Sequence, residues 1–383
     1  MPAQGLYGCV GQRTDSLQTE HAACPIAAPD EAGLLRSCPS IREFHMKKNA
    51  IALGVLGLFS GLACAQSSVT LYGVVDLAVE RIKGATSVTR IASGQQQGSR
   101  WGVRGVEDLG GGLKATFVLE SGINAQSGTL GQGGRAFGRQ SFVGLGNDWG
   151  TLRLGRQYSP MDDIAGIIGT KTYDVLSVVP IIGNGDYNRV DSAITYVSPT
   201  VANTVFQLQH SLGDGRASTD PSKDFAKQFS AHALYANGPL TAGLSLMQVT
   251  DADGTTPGKQ GKDAVLLAGA YDFGSFKLSA YYDAEDKAAK KLKVYGLAAA
   301  FKFGETTVSV GAAQAKDVNG SAAAASDDAR IYTLQASHNL SKRTAVYSHL
   351  TAVSNDAAAS LGFNSPVAGS NSNGIQVGLR HRF

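Results

Sequence analysis

Between Ser68 and Phe383 short runs that alternate apolar and polar residues with a period of two recur again and again, and no other feature limits the fold as strongly. In the first such run Val69, Leu71, Val75, Leu77 and Val79 share one face, while Thr70, Tyr72, Asp76 and Glu80 share the other. Successive side chains of a strand point to opposite sides, so this pattern reads as a strand with two unlike faces. The pattern returns at 98–108, 113–123, 138–147, 150–157, 190–198, 203–212, 227–237, 240–250, 264–273, 275–285, 292–303, 305–316, 329–339, 343–354 and 374–383. With the first run at 68–77 these are sixteen expected strands.

Their connections alternate in kind. Short turns are expected at Asp108–Gly112, Asn147–Gly150, Ser198–Asn203, Asn237–Pro239, Phe273-Gly274, Gly304-Glu305 and Asn339–Arg343. Longer polar loops are expected near 83–97, 124–137, 158–188, 213–226, 251–263, 286–291, 317–328 and 355–373. The third, Tyr158–Asn188, has no steady period, and Pro160 and Pro180 interrupt any helix in it. A connection of that length is functional or marks a wrong assignment.

A soluble β-sandwich produces the same alternation. Three observations favour a membrane barrel instead. The runs have the length of a tilted membrane-crossing strand, about ten residues. Tyr72, Tyr196, Tyr235, Tyr271, Phe273, Tyr282, Phe301, Phe303 and Tyr347 gather near strand ends, as in interfacial girdles. The last run places Ile375, Val377, Leu379 and His381 on one face and ends on Phe383. An even strand count with short turns at one end and long loops at the other is the pattern of an outer-membrane barrel, whose apolar face meets lipid. No apolar run after residue 65 is long enough for a spanning helix, and the net charge of +3 carries no basic tract that would suggest nucleic acid.

The amino terminus has a different character. Met46-Lys47-Lys48, an apolar run from Ile51 to Leu62 and Ala63-Cys64-Ala65 fit a secretory signal peptide over 46–65. Residues 1–45 are then an upstream extension outside the native precursor, and 66–383 form the barrel. Cys9, Cys24, Cys38 and Cys64 all precede it, so the barrel holds no disulfide scaffold and no cysteine metal site.

Ser68–Gly73, Ser99–Ala115, Leu152–Gln157, Asn339–Thr344 and Gly374–Phe383 together resemble the Gram-negative general porins of β-proteobacteria. The resemblance spans 66–383. It implies an all-β fold: a 16-stranded antiparallel transmembrane β-barrel with a long third loop folded into the lumen. It further implies a homotrimer with a water-filled pore in each subunit. Outer-membrane lipid and lipopolysaccharide are its surroundings, and Phe383 is read by the barrel-assembly machinery as a membrane-assembly signal. No cofactor is implied.

A pore selects by its diameter and by the charges at its narrowest point. The long loop offers Asp162, Asp163, Lys171 and Asp174. The resemblance assigns a constriction cluster to Arg100, Arg139 and Arg189, with Glu120 as an acidic neighbour. Period two places Arg100 and Arg104 opposite Trp101 and Val103, and Arg153 between Leu152 and Leu154, so these three are expected to face water. Arg156 shares the leucines' parity but stands at the strand end, where the chain can turn inward. The expected function is passive diffusion of ions and small hydrophilic solutes with a mild anion preference. A substrate-specific channel is the alternative; a barrel enzyme lacks a nucleophile with an orienting histidine, since Ser211 and His210 fall on opposite faces.

Overall fold

A computed structural model describes residues 68–168, 189–213, 227–250, 261–287, 290–318, 327–363 and 367–383. The segment at 46–65 and the residues before it lie outside the described residues, as does Asp174. The chain forms strands β1 (Ser68–Lys83), β2 (Ser87–Ser93), β3 (Arg100–Gly110), β4 (Leu113–Asn124), β5 (Thr129–Leu130), β6 (Gln140–Asn147), β7 (Gly150–Tyr158), β8 (Arg189–Val197) and β9 (Thr204–Ser211). They continue as β10 (Lys227–Asn237), β11 (Leu240–Thr250), β12 (Lys262–Asp272), β13 (Phe276–Lys287), β14 (Lys290–Phe303), β15 (Thr306–Lys316), β16 (Ala329–Asn339), β17 (Thr344–Asn355) and β18 (Ser372–Arg382).

Every pairing is antiparallel, and the sheet closes on itself where β1 pairs with β18 from Val74↔Arg382 to Lys83↔Asn373. On its other edge β1 pairs with β2 over its upper half and with β3 over its lower half. These two strands are therefore one stave, interrupted at Gly94–Ser99. β5 touches only β4 and stands outside the wall. The wall is a closed barrel of sixteen antiparallel staves.

The two faces separate as period two requires. Leu71, Leu267, Leu297 and Val377 point outward and are 63%, 52%, 60% and 58% exposed. Asp76, Glu80, Glu120, Gln209 and Gln376 point inward and are buried. A sandwich hides its apolar face, whereas here that face is the outer one, which suits a lipid solvent.

Four local expectations need correction. The segment 83–97 is not one long loop: a tight turn after Lys83 leads into β2, whose Ile91 points outward. The segment 286–291 is a hairpin, because β13 and β14 pair up to Lys287↔Lys290. Pro160 does not interrupt a helix but opens one. It stands in the first turn of α1 (Pro160–Ala165), where its missing N–H is not needed, and the Ser159 hydroxyl accepts from Asp162 N. Tyr72 and Tyr347 are not girdle residues. They share the inner face with Asp76, and Tyr347 is 3% exposed.

Closure continues past β18. Gly73 N donates to Phe383 O and Phe383 N donates to Gly73 O, each at 3.1 Å, and the Phe383 ring lies over the bare Cα of Gly73. A side chain at 73 has no room beneath that ring. Deleting Phe383 removes both hydrogen bonds and the ring contact, with an expected loss of about 2–4 kcal/mol. Urea titration of vesicle-embedded protein, followed by tryptophan fluorescence, measures it. Gly73→Leu is expected to give a loss of the same order.

Candidate functional site

Glu120 lies on the inner face of β4 and is 4% exposed. A carboxylate that far from bulk water needs hydrogen-bond donors on both oxygens. One oxygen, Oε1, accepts from Arg139 Nε at 2.7 Å. The other accepts from the Tyr72 hydroxyl at 3.0 Å, with Arg100 Nε 3.7 Å away. Arg139 stands just before β6 and is anchored by its own N–H on Glu120 O, 3.1 Å.

Tyr158, at the end of β7, extends the cluster. Its hydroxyl accepts from Arg139 Nη2 at 2.5 Å and from Arg189 Nη2 at 3.0 Å. The Arg189 guanidinium also sits 4.6 Å from the centre of the Tyr158 ring. Cation and ring face attract, and a phenol oxygen sharing two guanidinium groups holds both at fixed positions. Beside them Asp191 accepts from Arg135 at 2.9 Å and from Arg156 at 2.5 Å, and Arg156 Nε donates to Gly138 O at 2.8 Å. Five guanidinium groups and two carboxylates thus make one neighbourhood. Its excess positive charge faces a space bounded by a low-dielectric wall, which focuses the field.

The residues expected to gather there divide into three groups. Arg100 and Arg139 meet at Glu120, and Arg189 joins Arg139 through the Tyr158 hydroxyl. Arg156 pairs with Asp191 beside them, at a register shift between Gly155 and Gln157 where the strand pairing is irregular. Arg104 and Arg153 stand apart. Arg104 is exposed over the Tyr72 ring at 5.3 Å, and Arg153 lies over the Phe142 ring at 5.4 Å within electrostatic reach of Asp163.

The loop acids arrive on α1. Met161 and Ile164 are buried, and α1 packs on the inner faces of β10, β11 and β12. Gly243 of β11 leaves the space that Ile164 and Ile167 occupy. Asp163 Oδ2 then stands 3.7 Å from His232 Nδ1, which also meets Pro160 O at 3.3 Å. Asp162 occupies the first turn, and its N–H is used in the cap.

Sequence reading missed Tyr158, Arg135 and Asp191, whose roles depend on contacts between staves. It also missed Arg380 and Arg382, although their signal was available. Period two puts them opposite Val377 and Leu379, on the inner face. Arg382 Nε donates to Gln97 Oε1 at 3.1 Å. Asp76, register partner of Arg380, accepts from Gln96 N at 3.0 Å and Gln97 N at 2.6 Å, and from the Tyr347 hydroxyl. That carboxylate ties the Gly94–Ser99 interruption to the inner wall. Among the described residues no group of three or more His, Cys, Asp or Glu side chains could hold a metal ion.

A sequence profile described as Gram-negative porin matches residues 52–358. Outer membrane porin protein 32 of Delftia acidovorans is 33% identical over 366 residues, which cover 88% of this chain and 100% of that protein. An anion-selective porin from Comamonas acidovorans superposes with a TM-score of 0.72 at 30% identity, over 83% of this chain and 100% of its own. The trimer form of OmpT from Vibrio cholerae shares the fold at 17% identity with a TM-score of 0.61, over 83% of this chain and 99% of its own.

Glu120→Gln is expected to leave Arg139 and Arg100 without their counter-charge. Breaking a buried pair from one side costs about 3 kcal/mol. The expected outcome is a lower urea midpoint together with a reversal potential moved further toward anions in a salt gradient.

Proposed function

The chain belongs to the Gram-negative porin family of outer-membrane channels for passive diffusion of ions and small hydrophilic solutes, and on that premise we propose that its bore prefers anions at a constriction formed by the arginine cluster. The observation that carries the reading is the excess of guanidinium groups over carboxylates among residues that touch one another. The anion-selective title of the Comamonas relative supports it. Arg100, Arg139 and Arg189 form the positive wall with Glu120 as its internal brace. Arg156, Arg153 and Arg104 extend the positive surface along the path. Asp162, Asp163 and Asp174 belong to the third loop, which narrows the bore from the other side, and their charge keeps the preference mild.

The brace has a physical purpose in this reading. Guanidinium groups repel one another, and a free cluster spreads into solvent. Glu120 and Tyr158 hold them by hydrogen bonds at one level, so a passing anion meets a fixed field. Arg suits the task because it stays charged and its fork is rigid. No covalent chemistry and no cofactor enter the function. Residues 46–65 act as the secretory signal, Phe383 marks the barrel for assembly, and the working unit is a homotrimer set in outer-membrane lipid and lipopolysaccharide.

Planar-bilayer recordings in a salt gradient test the proposal. The parent is expected to show a reversal potential of anionic sign with conductance linear in salt. Arg100→Gln and Arg139→Gln are each expected to lower the anion-to-cation permeability ratio about fivefold, from a Coulomb energy of about 1 kcal/mol per charge in a wet passage. A cationic sign in the parent overturns the reading. Flux that saturates with one solute assigns the barrel to the substrate-specific class instead.

A further inference from the structure

The second stave is broken beside the arginine cluster, although closure of the wall requires no break there. β2 ends at Ser93, opposite Leu77, and β3 begins at Arg100, opposite Val74. Six residues, 94–99, thus stand against two of β1, Val75 and Asp76. The surplus chain folds over the inner wall, where the buried carboxylate of Asp76 holds it. One oxygen, Oδ2, accepts from Gln96 N at 3.0 Å and from Gln97 N at 2.6 Å. Gly94 N donates to Asp76 O at 2.8 Å, and Arg382 Nε donates to the Gln97 side chain. Gly94 turns the chain with a φ of +74°, a conformation that favours glycine.

Near the end of this segment Gly98 meets Arg139. A β-carbon at 98 would stand 2.9 Å from Arg139 Nη1 and 3.7 Å from its Cζ. Two nitrogens of that guanidinium are committed, Nε to Glu120 and Nη2 to the Tyr158 hydroxyl. The edge carrying Nη1 rests against the bare α-carbon. Gly98 has no left-handed φ, so its backbone does not demand glycine; the space taken by Arg139 does. Arg139 is buried, and any shift made to admit a side chain at 98 disturbs its bonds to Glu120 and Tyr158.

We propose that Gly98 is a specificity-determining residue of the bore and that Asp76 is a positioning residue acting through it. The inference rests on the anion-selective constriction proposed for this bore. Asp76 fixes the folded-in segment, and the segment sets the bare α-carbon of Gly98 against Arg139. Arg139 is thereby kept where both Glu120 and Tyr158 reach it. A charge held at the wall presents the same field to every passing ion, whereas one displaced into open water is screened.

Reversal potentials in a potassium chloride gradient across planar bilayers, recorded on the full assembled protein, test the inference. Gly98→Ala and Gly98→Val are expected to lower the anion-to-cation permeability ratio, about twofold for Gly98→Val, because the Arg139 charge is moved and not removed. Added to Arg139→Gln, Gly98→Val is expected to change the ratio no further, since both act through one group. An unchanged ratio in the two Gly98 variants overturns the inference, and so does a full additional loss in the Arg139→Gln background. Gly98→Ala, one methyl larger than the parent, decides the matter where Gly98→Val prevents assembly. Asp76 gives a check of opposite sign. Asp76→Asn keeps an acceptor for Gln96 N and Gln97 N, and its ratio is expected to equal or exceed the parent's. Asp76→Ala frees the segment, and its ratio is expected to fall although a negative charge is lost. A ratio in Asp76→Ala that stays level or rises leaves that residue with its charge alone and overturns the positioning role. A cationic sign in the parent removes the constriction itself, whereas an anionic parent with unmoved Gly98 variants removes this inference alone.

Discussion

A backbone in hydrocarbon has no water to satisfy its N–H and C=O groups, and the rest of this structure depends on that constraint. A sheet meets it only by having no edge. Pairing between β1 and β18 supplies the missing partners on both, and the Gly73–Phe383 exchange carries the seam to the last rung. The break at Gly94–Ser99 obeys the same rule. There the second stave leaves β1, and Asp76 and Ser99 satisfy the local backbone instead: Ser99 Oγ accepts from Asp76 N and donates to Asp76 O, each at 3.0 Å.

Closure also decides where polarity can go. With the outside given to lipid, charged side chains collect on the inner face, where they meet water and one another. The inner wall is not uniformly polar. Leu266, Val294, Ile331 and Val353 are buried there in one apolar cluster with Met161 and Ile164 of α1. That apolar half anchors α1 by the hydrophobic effect. The arginines hold their places by hydrogen bonds on the staves β3 to β8. Division of the wall into an anchoring side and a charged side positions Asp163 to look across at Arg153.

Much of the fold was legible because a strand's side-chain period is read directly as a sequence period. Strand positions agree within a few residues through most of the wall, and Arg100, Arg104 and Arg153 face inward as their parity required. Failures have identifiable causes. β2 was hidden because Ser87–Ser93 is short and polar and runs into three glutamines, which reads as loop. Pro160 was taken as a breaker when its position after Ser159 made it a helix opener. Tyr72 and Tyr347 were assigned to girdles from their place near strand ends, although parity with Asp76 put them inside. Of the candidate site, Arg139 and Glu120 came from resemblance; no spacing places residue 139 on residue 120. Tyr158 and Asp191 stayed invisible because a register irregularity between β7 and β8 decides which way they turn.

The seam between β1 and β18 joins residues roughly 300 positions apart. Closing so long a loop costs entropy before any rung is gained, and such contacts form slowly. Emerging chain therefore exists for a period as an open sheet with two unpaired edges, β1 already made and its partner still to come. In water such edges pair with neighbouring chains. The wall is protected from such pairing only once the seam between β1 and β18 has closed.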